Sequence, residues 1–237
     1  MSSEELHPSL RGARACIFDA GGTLIHPDWP RLAALAEAQA GRRFGADEMR
    51  LAFGEMLRRV GAHEQGRPAV DQSGRHWTFR AMYGGLGLDA AACESLVGCI
   101  DAAHEERHIW CDCDPEAPRV IDELKRRGLL VAVVSNTEDG RVLDALEAAG
   151  LGGRFDAVVD SHLVGVSKPD PAIFRHALGL LEVGPHEAVF VGDSYAHDAL
   201  AARAAGMRPV LLDPLDLHPG ADCPRIRRLG DLLLHEV

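Results

Sequence analysis

Residues 15–23 read Ala15-Cys16-Ile17-Phe18-Asp19-Ala20-Gly21-Gly22-Thr23. Four apolar residues run without a break into an aspartate and a pair of glycines. A short apolar run stopped by turn residues reads as a strand buried on both faces. The same pattern recurs at 129–134, 157–159, 188–191 and 209–212, and each run ends near polar residues: Ser135-Asn136, Asp160-Ser161, Gly192-Asp193 and Asp213. Helical patterns lie between the runs. The stretch 115–127 has Pro115 early and Gly128 after its end, 138–149 stops at Gly150, 171–181 stops near Gly184, and 196–205 stops at Gly206. Proline at a start and glycine past an end is the normal asymmetry of a helix. Strands alternating with helices of this length predict an α/β fold with a Rossmann-like parallel sheet covered on both faces. The polar residues then gather at the carboxyl ends of the strands, where such sheets bind ligands.

Between the first strand and the second the pattern changes. From about His26 to Cys113 the periodicity is helical, with no convincing strand: 30–39 before Gly41, 46–60 before Gly61, a loop over 61–75, then 77–83 and 89–108. The expected organisation is a discontinuous α/β core, residues 1–25 and 114–237, interrupted by an all-helical cap, residues 26–113.

The bulk properties narrow the function. The chain has 237 residues and a formal net charge of −11. Such an acidic protein repels nucleic-acid backbones and anionic lipid, so neither is expected as a partner. The densest basic stretches, 125–127 and 225–228, read as solvated helix faces. Residues 1–15 lack an apolar signal core, and the longest aliphatic run, 129–134, is far short of a membrane span, so a cytoplasmic protein is expected. The six cysteines do not suggest a disulfide framework in a chain this long. Lysine is nearly absent, since only Lys125 and Lys168 occur among 25 basic residues, and each therefore raises a question.

Four polar groups sit where the sheet would bind a ligand. They are Asp19 to Thr23, Ser135-Asn136, Lys168-Pro169-Asp170-Pro171, and Gly192-Asp193-Ser194 with Asp198 following. Singly, each has a plain reading: a turn aspartate, a helix cap, a surface lysine, a common Gly-Asp step. Occurring together, in order, at successive strand ends, they resemble the haloacid dehalogenase (HAD) superfamily. The resemblance covers about 15–212, and the helical insert falls where that family places its helical cap.

The resemblance implies a role for each residue. Asp19 would be the nucleophile that forms a covalent aspartyl intermediate. Ser135 and the backbone amide of Asn136 would donate to a phosphate oxygen, with Thr23 in the same substrate-binding set. Lys168 would supply a point charge to the nucleophile and the transferring group. Mg²⁺ would be held by Asp19, Asp193 and the carbonyl of Gly21, with Asp198 orienting this shell from behind. The implied substrate is a small phosphorylated molecule.

One position departs from the family pattern. Most of its phosphatases carry a second aspartate two residues after the nucleophile, and here that residue is Gly21. General acid–base help is worth roughly 10²–10⁴-fold, so the absence matters. One reading is a phosphatase for good leaving groups, such as acyl phosphates or phosphoanhydrides, or one in which His26, Asp28, His63, His76, His104 or His108 replaces the acid. A second is a carbon–halogen hydrolase, whose relatives lack the second aspartate, usually carry an aromatic residue there and need no metal. Arg42, Arg43 or Arg50 would then hold the substrate carboxylate. A third is a slow phospho-ligand-binding protein. Phosphonate cleavage through a cap lysine is disfavoured, because 26–113 contains no lysine. His104, His108, Cys111 and Cys113 also offer four zinc-type ligands near the end of the insert, although Cys-x-Cys is an unusual spacing.

Overall fold

A computed structural model of the chain describes residues 5–60 and 75–234. His63 and all but the last residue of the loop expected over 61–75 lie outside them. In chain order the elements are β1 (Glu5–Leu6), β2 (Ala15–Phe18), β3 (Ile25–Pro27), α1 (Trp29–Ala40), α2 (Ala46–Arg59), α3 (Trp77–Gly85), α4 (Ala90–Glu106), β4 (Trp110–Cys113), α5 (Ala117–Arg126), β5 (Leu130–Ser135), α6 (Val142–Ala148), β6 (Ala157–Asp160), α7 (Ser161–Val164), α8 (Pro171–Leu181), β7 (Ala188–Gly192), a π-helical turn (Tyr195–Leu200) running into α9 (Ala201–Ala204), β8 (Arg208–Leu212), β9 (Arg225–Ile226) and β10 (Leu233–Leu234).

The main sheet has six strands in the order β6-β5-β2-β7-β8-β9, and every neighbouring pair is parallel. The expected parallel α/β sheet is therefore present. Alternation along β2 explains its unbroken apolar run. Cys16 and Phe18 face a core built with Val120, Ile121 and Leu124 of α5 and Leu146 of α6. Ala15 and Ile17 face a second core built with Ile173, Phe174 and Leu178 of α8. A strand covered on both faces has no side to leave polar. From β2 the chain first adds strands on one side, β5 and β6, and then returns to add β7, β8 and β9 on the other. The order thus reverses at β2, and a crevice opens beyond its carboxyl end.

Helices α1 to α4 bury their own apolar cluster, including Trp29, Leu32, Met49, Phe53, Phe79, Met82, Leu96 and Ile100. Their ends carry ordinary capping chemistry. The Asp28 side chain accepts from the amide of Arg31 at 3.0 Å, and the Asp89 side chain accepts from that of Ala92 at 2.8 Å. Gly41 closes α1 with φ 66°, a left-handed conformation that glycine adopts freely.

Three local expectations change. The insert is not strandless at its ends, because β3 and β4 pair antiparallel, with Ile25 opposite Cys113 and His26 opposite Asp112. Strands of three and four residues, one ending in proline, are too short for alternation to be legible. The helix expected over 138–149 begins only at Val142. Its first residues are diverted by side-chain acceptors: Gly140 donates to Thr137 Oγ1, Arg141 to Asp139 Oδ1, and Val142 to Asp160 Oδ2. The helix expected over 196–205 opens as the π-helical turn. All six cysteines are free. Among the described residues no helix is long and apolar enough to cross a membrane.

Phe174 and Phe190 meet edge to face on the α8 side of the sheet, with centroids 5.0 Å apart, and both are fully buried. Phe174→Ala is expected to cost about 3–5 kcal/mol of stability, read as a lower urea midpoint with an unchanged slope. A loss below about 1 kcal/mol would mean that this face of the sheet is not the tightly packed core described.

Candidate active site

Asp19 is the first residue past β2, and its amide donates to the carbonyl of Val191 in β7 at 2.9 Å. That bond fixes the residue at the point where the strand order reverses. Its carboxylate is met by the buried ammonium of Lys168. Lys168 Nζ lies 2.6 Å from Asp19 Oδ1 and 2.7 Å from Asp198 Oδ1. The backbone of Lys168 is clamped by Asn136 at the end of β5. Asn136 Oδ1 accepts from the Lys168 amide at 2.8 Å, and Nδ2 donates to the Lys168 carbonyl at 2.9 Å. The Asn136 side chain thus positions the lysine. Asp198 is oriented from the far side, where its Oδ2 accepts from the Ser194 amide at 2.8 Å. A Cβ on Gly192 would fall 2.4 Å from Asp198 Cγ, so this approach needs glycine.

Asp193 completes the group. Carboxylate oxygens of Asp19, Asp193 and Asp198 all lie within 4.8 Å of one another. Burial and the charges of Asp19 and Asp198 hold the Asp193 carboxyl well above the usual carboxylate range. Burial raises Asp19 to about 6 despite the opposing charge of Lys168. For Lys168 burial works against the charge, but the two carboxylates outweigh it and its pKa rises. Three carboxylates facing one ammonium carry a deficit of positive charge, and an all-oxygen donor set suits a hard divalent cation. The backbone is shaped to the same end. Gly22 has φ +87°, and a Cβ there would lie 2.0 Å from Asp193 Oδ2. These residues therefore fit Mg²⁺.

The carboxylates open into a cleft of about 380 Å³, lined also by Gly21, Ser135, Asn136 and Lys168. Of the residues expected to hold substrate or metal or to act on the substrate, Thr23 is the one that does not line the cleft. It is fully buried, and its hydroxyl has no hydrogen-bond partner among the described residues. Its position behind the Gly21-Gly22 turn accounts for the difference.

Gly21 itself lies under an aromatic ring. A Cβ on Gly21 would sit 3.0 Å from Cζ3 and 3.2 Å from Cε3 of Trp110, the first residue of β4. The indole packs against Phe53 and Phe79, with centroids 5.8 and 5.7 Å away.

The candidate acids separate cleanly. His26 faces Asp114 at 3.5 Å, and Asp28 pairs with Arg107 while capping α1; neither lines the cleft. His76, His104 and His108 do line it, together with Arg75, Glu138 and Asp139. His76 Nε2 lies 3.2 Å from Asp101 Oδ1, and its amide donates to Glu138 Oε2 at 2.6 Å. The four zinc-type ligands are not assembled. Among the described residues, His104 and His108 gather with Asp139 instead of the two cysteines. His104 Nδ1 accepts from the Ile109 amide at 3.3 Å, which leaves Nε2 protonated and donating to Asp139 Oδ2 at 3.0 Å. The geometry is that of a hydrogen-bonded pair joining α4 to the loop after β5, and the protonated Nε2 is closed to a metal. The cap arginines named for a carboxylate lie elsewhere: Arg42 pairs with Glu48, Arg43 with Glu37 and Arg50 with Asp47. Arg75 is the arginine of the cleft, and it pairs with Asp101 at 3.0 Å. Trp110, Arg75, Glu138 and Asp139 were not singled out in the sequence. The run Thr137-Glu138-Asp139 directly after Ser135-Asn136 is the signal that marked the last two.

Comparison with known proteins adds the following. A family model described as "Hydrolase: haloacid dehalogenase-like hydrolase" matches residues 13–206. A phosphoserine phosphatase of Thermus thermophilus is 40% identical over 122 residues, covering 50% of this chain and 47% of its own length. Haloacid dehalogenase-like hydrolase domain-containing protein 3 of Xenopus laevis is 38% identical over 150 residues, covering 62% of this chain and 61% of its own. The chain thus spans about half the length of these curated relatives. The crystal structure of a predicted phosphoglycolate phosphatase from Haemophilus somnus superposes with a TM-score of 0.65 at 19% identity, over 93% of this chain and 96% of that one, a likeness of fold.

Burial pushes His108 down from 6.5 to about 4. As pH falls below 6.5 the unfolded chain takes up this proton before the folded one does, so stability is lost between about 6.5 and 4. His108→Gln should remove that component. Between pH 7 and 5 the wild type should lose on the order of 1 kcal/mol more than the variant in urea unfolding, a figure reduced for the partial exposure of the ring. Parallel curves would show that His108 is not held neutral by its surroundings.

Proposed function

The chain belongs to the haloacid dehalogenase-like hydrolase family, and on that premise we propose that it is a Mg²⁺-dependent phosphatase of small phosphorylated molecules, working through an aspartyl-phosphate on Asp19. The observation that carries this reading is the buried Lys168 ammonium, 2.6 Å from Asp19 and flanked by two further carboxylates. A haloacid dehalogenase-type reaction has no phosphate to neutralise and little use for Asp193; the three arginines expected to hold a haloacid carboxylate do not line the cleft, and Arg75, which does, is paired with Asp101.

Each residue has a task in this mechanism. An Asp19 carboxylate oxygen attacks phosphorus while Lys168 balances charge on the nucleophile and on the transferring group. The Ser135 hydroxyl and the Asn136 amide would donate to the phosphate oxygens, and the Asn136 side chain keeps Lys168 in register. Asp19, Asp193 and the Gly21 carbonyl would hold Mg²⁺, with Asp198 oriented behind them, and the bound ion supplies positive charge for the phosphoryl oxygens. Residues 26–113 would act as a cap over the core formed by 1–25 and 114–237, excluding water and contacting the rest of the substrate. Gly21 cannot move a proton, so the substrates that suit this site have good leaving groups.

Phosphate release from acetyl phosphate tests this. Wild type should turn over with Mg²⁺ and stop with EDTA, and Asp19→Asn should lose about 10³-fold or more in kcat. Full activity in Asp19→Asn overturns the mechanism. Halide release from a haloacid that is indifferent to EDTA would favour the dehalogenase, and ligand-induced stabilisation without turnover would favour a binding protein.

A further inference from the structure

The missing acid and the indole above it are one feature. Trp110 Cζ3, Cε3 and Cη2 stand 3.0, 3.2 and 3.4 Å from where the first side-chain atom of residue 21 would be. The six-membered ring stands in tight contact with the point where a side chain on residue 21 would begin. Its backbone is held in register opposite Pro27, and its ring is braced by Phe53 and Phe79. Ile25, Phe53, Leu57 and Trp77 line the cleft with it. One side of the nucleophile therefore faces the Ser135, Asn136 and Lys168 groups suited to a phosphate, and the other faces an aromatic and aliphatic wall.

Both halves of this feature constrain the leaving group. Without a proton donor at residue 21, the site favours a departing oxygen that leaves readily as an anion. A phenol-type oxygen does so with a pKa near ~10, whereas simple alcohols lie closer to water at ~15.7. The wall, in turn, favours a flat apolar group that can lie against an indole. Aromatic hydroxyls satisfy both conditions. We propose that Trp110 is the stacking face for the leaving group, and that the substrate class is the aryl phosphate, the phosphate monoester of a planar phenol-like hydroxyl. The proposal rests on the phosphatase reading. In the first step an Asp19 oxygen–phosphorus bond forms as the phosphorus–aryl oxygen bond breaks, and the electron pair leaves on the phenolate, which takes its proton from water on release. In the second step water attacks phosphorus, the bond to Asp19 breaks with return of its carboxylate, and phosphate departs with the water oxygen while a proton passes to solvent. The net reaction is aryl phosphate plus water to phenol plus phosphate.

The test uses the full chain with Mg²⁺ and three probes: 1-naphthyl phosphate, cyclohexyl phosphate and acetyl phosphate. Wild type should favour naphthyl over cyclohexyl phosphate by at least about 10²-fold in kcat/KM. The naphthyl-to-acetyl ratio of kcat/KM should fall about 10-fold in Trp110→Ala, chiefly through KM, and be largely restored in Trp110→Phe, as expected for a stacking contact. The phenylalanine variant keeps the aromatic packing, so the comparison survives if the alanine variant does not fold. Turnover of acetyl phosphate without a naphthyl preference, or with a ratio unmoved by both Trp110 variants, overturns the aryl assignment and leaves the phosphatase reading standing. No turnover of acetyl phosphate overturns both.

Discussion

Lys168 bridges Asp19 and Asp198 through one buried ammonium, and the site depends on that bridge. Carboxylates brought together out of water repel one another and lose hydration, and either cost alone would push them toward protonation. An ammonium within hydrogen-bond reach of two of them makes the arrangement tenable and favours the ionised form of Asp19. Much of the surrounding chain serves this contact. Asn136 clamps the lysine backbone, the Ser194 amide turns Asp198 toward it, and Val191 fixes the amide of Asp19. Glycines at 22 and 192 let Asp193 and Asp198 approach the backbone more closely than any side chain would allow.

The parts of this site that sequence reveals are those where chemistry and chain punctuation coincide. Asp19, Ser135, Asn136 and Asp193 each follow an apolar run that must be a strand, and Lys168 is conspicuous because lysine is so rare. The fold, and the carboxylates and lysine that the cleft brings together, could be read from that. What stayed hidden comes from pairings distant in the chain. His104 and Asp139 are 35 positions apart, and nothing local marks them as partners. The residues of the loop that carries Asp139 are acceptable in a helix, and only the competing acceptors Thr137, Asp139 and Asp160 redirect the backbone. Strands β3 and β4 are too short to show a period. Thr23 was read from its place in a motif, whereas its side chain turns into the protein.

The helical insert meets the sheet through few chemical types. Its two chain connections are tied to each other by the β3–β4 pair, so they leave the core as one ribbon. Beyond that ribbon the contacts at the cleft are mainly ionic or hydrogen-bonded, His104 to Asp139 and the His76 amide to Glu138. The buried apolar cluster of the insert is separate from those of the sheet, with Trp110 packed against both the insert cluster and one sheet cluster.

The close approach of Trp110 to Gly21 also bears on how this sequence can change. A carboxylate placed at residue 21 would meet the indole, and loss of the indole from a chain with glycine at 21 would leave a hole beside Asp19 without supplying a proton donor. Neither substitution is useful without the other, and the two positions lie 89 residues apart on different segments. The two positions are therefore sterically coupled, and a side chain at either one is chosen against the volume of the other.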